Sequence, residues 1–246
     1  GIATRSSHVV LAPSTSVHRT LLLPPMSAGE RRLFLERELG REVGAGLLVD
    51  SQPLRTVEGP PRKDEVLAVA IPGAETDQAL AGVMAAGLSP RLVTTVPLAL
   101  TRAAEALAPE SFDRPTAVAH WGFQGLTILV ADGGAPKLTR EVPHLAAPGI
   151  DPRDWFVTEF QRSIRQYTQT VKGVTGGSVL IGSVDARFEA QFADLETRLG
   201  MPVVNLNEAM RNLLPEASDE AHPAGVFLLA LGAALSAPGA VNLLPP

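Results

Sequence analysis

Residues Glu65–Leu107, EVLAVAIPGAETDQALAGVMAAGLSPRLVTTVPLALTRAAEAL, decide the fold class. Val66–Ile71 is an unbroken apolar run with three β-branched side chains, the signature of a buried strand. A helix is predicted over about 75–86, and Gly87-Leu88-Ser89-Pro90 stops it. Leu92–Thr95 then reads as a second strand and 97–107 as a second helix. The order returns later in the chain: a strand at Val179–Ile181, a helix over 186–199 and a stop at Gly200-Met201-Pro202. A strand at 203–206 and a helix at 207–214 complete the second copy. Strand, helix, glycine–proline stop, strand, helix, found twice, predicts an α/β fold of two related lobes.

Working outward, Thr116–His120, Gly125–Ala131 and Lys137–Val142 read as three strands, with Asp132-Gly133-Gly134 as a hairpin turn. A long helix opens at Asp151-Pro152, its stripe Phe156, Phe160, Ile164, Tyr167 and Val171 keeping helical spacing until Gly173. Toward the N-terminus, His8–Ala12 and Val17–Leu23 read as strands joined by a turn at 13–16. Ser27 with Glu30 forms a capping-box signature for a helix to about Leu39, with Leu33, Phe34 and Leu35 expected inward. Strands are predicted at Leu47–Val57 and Glu65–Ile71.

The 246 residues carry 21 basic and 26 acidic side chains, a formal charge of −5, and no cysteine. Absent cysteine excludes a disulfide scaffold, a thiolate metal site and a cysteine nucleophile. Mild acidity without a basic block argues against nucleic acid as a partner. From Pro223 the chain has no charged residue, but the apolar run Ala224–Leu235 spans about a dozen residues, against the roughly 20 a membrane helix needs. It reads as a buried helix. The five histidines make no H-x-x-H or H-E-x-x-H pair, so no metal site is expected. No G-x-x-x-x-G-K-[ST] loop and no G-x-S-x-G elbow occurs, and no catalytic residue is assigned.

Several segments, in order, resemble the PilM family of type IV pilus assembly and, more distantly, the cytoplasmic domain of GspL from type II secretion. They are Leu22-Leu23-Pro24-Pro25-Met26-Ser27, Leu48-Val49-Asp50, Glu65–Ala70, Ala85-Ala86-Gly87-Leu88-Ser89-Pro90 and Val96–Ala103. The strand pair around Gly122, the helix Glu159–Tyr167 and Ala230-Leu231-Gly232-Ala233-Ala234-Leu235 continue the series. The resemblance implies an actin-like two-lobed fold with an FtsA-like inserted subdomain at about 1–60. The first lobe would then cover 1–110, the second 111–238, and a tail 239–246. The strands bearing the family's first phosphate loop have no counterpart in this sequence.

The resemblance also implies where a nucleotide site would stand. The family's second phosphate loop, Asp-x-Gly, reads His120-Trp121-Gly122 here, with Gly122 and Thr127 kept; the adenosine turn Gly-Gly reads Gly182-Ser183. A neutral histidine is no oxygen ligand for magnesium. Gly122, Thr127, Gly182 and Ser183 are therefore expected as remnants of a degenerate site: no catalysis, no required cofactor, and ATP as the one ligand left open. The tail Val241-Asn242-Leu243-Leu244-Pro245-Pro246 resembles the opening of PilN, the family's membrane partner, and suggests a fused PilN-like continuation. Asn242, Leu243, Leu244 and Pro245 are expected to bind a groove near residues 1–100, of the same chain or a neighbour, with Asn242 as hydrogen-bonded anchor.

The implied function is a non-catalytic scaffold at the cytoplasmic side of the inner membrane in a pilus or secretion machine. Its partners would be a PilN-like membrane protein, or its own continuation, and the machine's motor ATPase. No small-molecule substrate is expected, and a homo-oligomer is left open. The alternative is a nucleotide-binding actin-like ATPase or kinase relative whose active site has degenerated.

Overall fold

The computed structural model describes residues 5–12, 15–144, 150–170, 177–215, 224–237 and 239–245. Two compact units divide the chain, 1–96 with 233–246, and 97–232. These limits differ from the expected 110 and 238. Leu100 and Ala104, of the helix beginning at Val96, lie in the core of the second unit, and the last fourteen residues belong to the first.

The first unit holds β1 (Ser6–Leu11), β2 (Val17–Leu23), α1 (Ala28–Val43), β3 (Leu47–Val57), β4 (Lys63–Pro72), α2 (Gly73–Ala85) and β5 (Ser89–Thr95). β4 lies between β2 and β3, antiparallel to both, and β1 runs parallel to β5 in a separate sheet. The expected neighbours β1 and β2 are thus no hairpin. The compact piece with its own sheet and helix is Val17–Pro72, in place of the insertion expected at about 1–60.

α1 opens on the expected capping box: the Glu30 amide donates to Ser27 Oγ, and Glu30 Oε2 accepts from the Ser27 amide at 2.8 Å. Its inward face is Leu35 and Leu39, packed on Val49, Ala68 and Ala70. Leu33 and Phe34, expected inward, are 68% and 42% exposed. Residues four apart share a helix face, so once Leu35 and Leu39 meet the sheet, Leu33 and Phe34 lie outside that stripe.

The second unit holds α3 (Val96–Leu107), β6 (Thr116–Trp121), β7 (Gly125–Asp132), β8 (Ala135–Pro143), α4 (Pro152–Thr170) and β9 (Val179–Ser183). It continues with α5 (Ala186–Glu189), α6 (Phe192–Leu199), β10 (Val203–Asn205), α7 (Leu206–Leu213), a 3₁₀ turn Ala224–Phe227 and α8 (Leu228–Ala234). The sheet order is β10-β9-β6-β7-β8, parallel through β6 and antiparallel across the meander. Gly133 and Gly134 turn β7 into β8 with φ of 59° and 73°, which side-chain-bearing residues avoid. The expected helix end at Val171 and Gly173 lies outside the described residues.

Alternation along each strand builds two cores. Ala119, Ile128 and Ile181 face Phe156, Phe160, Phe188 and Leu195, while Val118, Leu129 and Leu180 face Leu100, Met210 and Leu228. The apolar run Ala224–Leu235 is spent on the second of these cores, with Leu228 fully buried. The sequence repeat does not become a repeat of pairing. β9 and β10 are parallel neighbours, whereas β4 and β5 stand in different sheets.

Candidate functional site

The four expected nucleotide-site remnants meet at one end of the second unit's sheet. His120 of β6 lies opposite Thr127 of β7 on one side and Gly182 of β9 on the other, and Trp121 lies opposite Ser183. Gly122 follows directly, its amide donating to the Gly125 carbonyl at 2.9 Å. The Gly122 carbonyl meets His144 Nε2 at 2.7 Å, so the turn's own backbone is engaged within the protein.

His120 is 3% exposed, and burial lowers its pKa to about 4, with the backbone of Gly225 opposing the shift. It is therefore neutral at physiological pH. Its Nε2 has no hydrogen bond of accepted geometry among the described residues.

Protein packs closely on Gly182 and Ser183. A Cβ on Gly182 would collide with the Leu228 side chain, and one on Gly225 with the Ser183 carbonyl oxygen. Ser183 is gripped by Asn207, whose Oδ1 accepts from the Ser183 amide at 3.0 Å and whose Nδ2 donates to its carbonyl at 2.8 Å. Asn207 Nδ2 also donates to Glu189 at 2.6 Å, and Arg211 closes the group on Glu189 at 2.6 Å. Desolvation pushes the Glu189 pKa up, but hydrogen bonds from Arg211, Asn207 and Asn205 together outweigh it and the net shift is downward. Nothing in the sequence singles out Asn207, Glu189, Arg211 or Leu228. They lie on α5, α7 and α8, and only the fold brings them to Gly182 and Ser183.

The tail residues lie in the first unit. The Asn242 amide donates to Asp50 Oδ2 at 2.8 Å, and its side chain spans the edge of β5. Asn242 Oδ1 accepts from the Val93 amide at 3.0 Å, while Nδ2 donates to the Arg91 carbonyl at 3.1 Å. The Leu243 amide returns a bond to the Val93 carbonyl at 2.9 Å, and the Leu244 amide folds back on Asn242 Oδ1 at 3.1 Å. Both main-chain groups of Val93 thus point to the tail, leaving the β1 side of β5 to its neighbours. Val241 and Leu243 are buried at 3% and 2% exposure, and Pro245 is half-buried. Asn242 acts as a peptide group in side-chain form: one donor and one acceptor, spaced to match a strand edge. Beside it α1, β3 and the tail enclose a cleft of about 370 Å³ that Arg31, Arg32, Leu35 and Asp50 help to line.

No protein-family model matches the sequence, and a search of curated proteins returns no match. Solved structures do match. The chain is similar to a structure described as the PilM-PilN type IV pilus biogenesis complex, with 18% identity over 95% of this chain and 80% of the other, at a TM-score of 0.68. It is also similar to the cytoplasmic domain of EpsL, an inner-membrane component of the type II secretion system of Vibrio cholerae. That match has 14% identity over 99% of this chain and 79% of the other, at a TM-score of 0.54. Among the described residues no helix is long and apolar enough to cross a membrane. At these identities the likeness speaks for architecture, and the chain has the PilM-like, actin-like two-lobed α/β fold.

Proposed function

We propose that this chain is a non-catalytic platform component of a type IV pilus or type II secretion machine, acting at the cytoplasmic face of the inner membrane. It would join a PilN-like membrane segment, separate or fused, to the motor ATPase through surfaces. One observation carries the reading: the Asn242-Leu243-Leu244-Pro245 segment seated on the edge of β5 by the Asn242 amide. Addition of an extended segment to a strand edge is a general docking mode, in which main-chain bonds give affinity and side-chain pockets give selectivity. A solved structure of similar architecture is itself a complex of PilM with PilN, which supports assigning the seat to such a segment.

The same reading leaves the strand-end row of His120, Thr127 and Gly182 without catalytic work. A buried neutral imidazole supplies no hard oxygen for magnesium, and Leu228 and Gly225 take the space over Gly182 and Ser183. The docking claim is tested by titrating a synthetic peptide of residues 241–246 onto the chain lacking them, by calorimetry. Saturable binding that is lost with Asn242→Ala in the peptide is expected. No binding to a folded, tail-deleted chain would reject it.

A further inference from the structure

We propose that the open edge of β3 receives an extended segment of a protein partner in which acidic and apolar side chains alternate, held in the cleft between α1 and the seated tail. This extends the platform reading above by giving one partner a chemistry and a place.

β3 is an edge strand: among the described residues it pairs with β4 alone. Side chains alternate across a strand, and the two faces of β3 meet different neighbours. On one face Val49 packs with Leu35 of α1, and Ser51 Oγ accepts from Arg31 Nε at 3.0 Å. On the other face Asp50 Oδ2 accepts from the Asn242 amide at 2.8 Å. The cleft of about 370 Å³ is lined by residues 48–51, by α1 and by the tail, so it wraps the unpaired edge itself. An open row of main-chain N–H and C=O groups is a template for pairing with another chain, and it points to a peptide as occupant.

The two walls set what that peptide carries. Toward α1 the unspent polar capacity is a cation. Arg32 is engaged with Glu36 at 2.9 Å, whereas the Arg31 side chain bonds only through Nε among the described residues. The Ser51 bond holds the half-buried Arg31 guanidinium at the cleft wall and leaves both Nη groups for a carboxylate. Toward the tail, half-buried Leu48 and Leu244 offer apolar surface. The carboxylate on that face, Asp50, repels a second acid there, so charge helps to fix the register. Acidic side chains toward α1 and apolar ones toward the tail are the two faces of one extended strand.

The test is fluorescence anisotropy of the full chain with a short, end-blocked, labelled peptide that alternates leucine and glutamate. Saturable binding is expected, weaker by about tenfold or more when glutamine replaces glutamate or when the chain carries Arg31→Gln. Arg37→Gln, on an exposed α1 residue outside the cleft, should leave the affinity unchanged. Absence of saturable binding, indifference to Arg31→Gln, or an equal loss with Arg37→Gln would overturn the proposal. Because Arg31→Gln could disturb α1, a second measurement leaves the protein untouched. Peptides N-methylated on alternate amides should divide into one set that binds and one that does not, since only every second amide of an added strand faces the edge. Equal binding by both sets would overturn edge addition. Phosphatidylglycerol vesicles that displace the peptide would assign the surface to lipid and overturn it as well. Protection of the Val93 amide reports the tail's seat separately, so loss of this site and loss of tail docking are distinguishable.

Discussion

Asn242 and His120 show how a single side chain can carry a local arrangement. Asn242 uses its donor on Arg91, its acceptor on Val93 and Leu244, and its backbone amide on Asp50. Asn242→Ala leaves the Val93 amide and Arg91 carbonyl unpaired and is expected to cost about 1–3 kcal/mol in urea denaturation. Asn242→Asp keeps an acceptor for Val93 but sets an oxygen against the Arg91 carbonyl and adds charge in a chain segment already bonded to Asp50. It should cost more than the alanine change, with a deficit that shrinks as pH falls and the new carboxyl takes a proton. His120 makes a pH prediction with a definite sign. Its folded pKa is about 4 and its unfolded value near 6.5, so below pH 6.5 the unfolded chain binds the proton first. Stability is full above pH 6.5 and falls as pH drops toward 4, by on the order of 3 kcal/mol for this group alone. His18, also lowered to about 4 by burial, adds a slope of the same sign. His120→Gln should flatten the decline between pH 6.5 and 5.5, measured by denaturant midpoints, a range in which ordinary carboxylates remain charged.

At the scale of elements, close backbone approach fixes the second unit. Gly225→Ala would drive a methyl group into the Ser183 carbonyl, and Gly232→Ala would drive one into the Ala99 carbonyl. Neither partner is a flexible side-chain end, so each substitution should lower stability by at least about 2–3 kcal/mol in thermal or urea unfolding. Most elements are legible from sequence because their signals are local. Glycine pairs turn β7 into β8, Ser27 with Glu30 starts α1, and the Phe156–Tyr167 stripe marks α4. What is not legible depends on partners distant in the chain. Leu33 and Phe34 look as apolar as Leu35, and only the placement of β3 and β4 selects which face of α1 is buried. β1 and β2 look like a hairpin until β5 and β4 claim them in separate sheets. The same limit applies to the strand-end site: Gly182 and Ser183 are visible as a motif, but Leu228 and Asn207, which cover them, carry no signal of that role.

Across the whole molecule, two regions have opposite characters. At the second unit's strand end Leu228 packs on Gly182 and Gly225 on Ser183, and under the proposed non-catalytic role Mg-ATP should leave the melting temperature unchanged. A rise of several degrees would instead favour nucleotide binding, since a ligand held only by the native state must stabilise it. The first unit keeps an open strand edge on β5 and spends its last residues covering it. That seat is the centre of the functional reading, and amide hydrogen exchange at Val93 tests it most directly. The Val93 amide faces away from β1 and has the Asn242 side chain as its bonded acceptor. The expected result is a strongly protected Val93 amide in the full chain and rapid exchange after Asn242→Ala or removal of residues 241–246. A Val93 amide that exchanges freely in the unmodified chain, or stays equally protected without the tail, would contradict it.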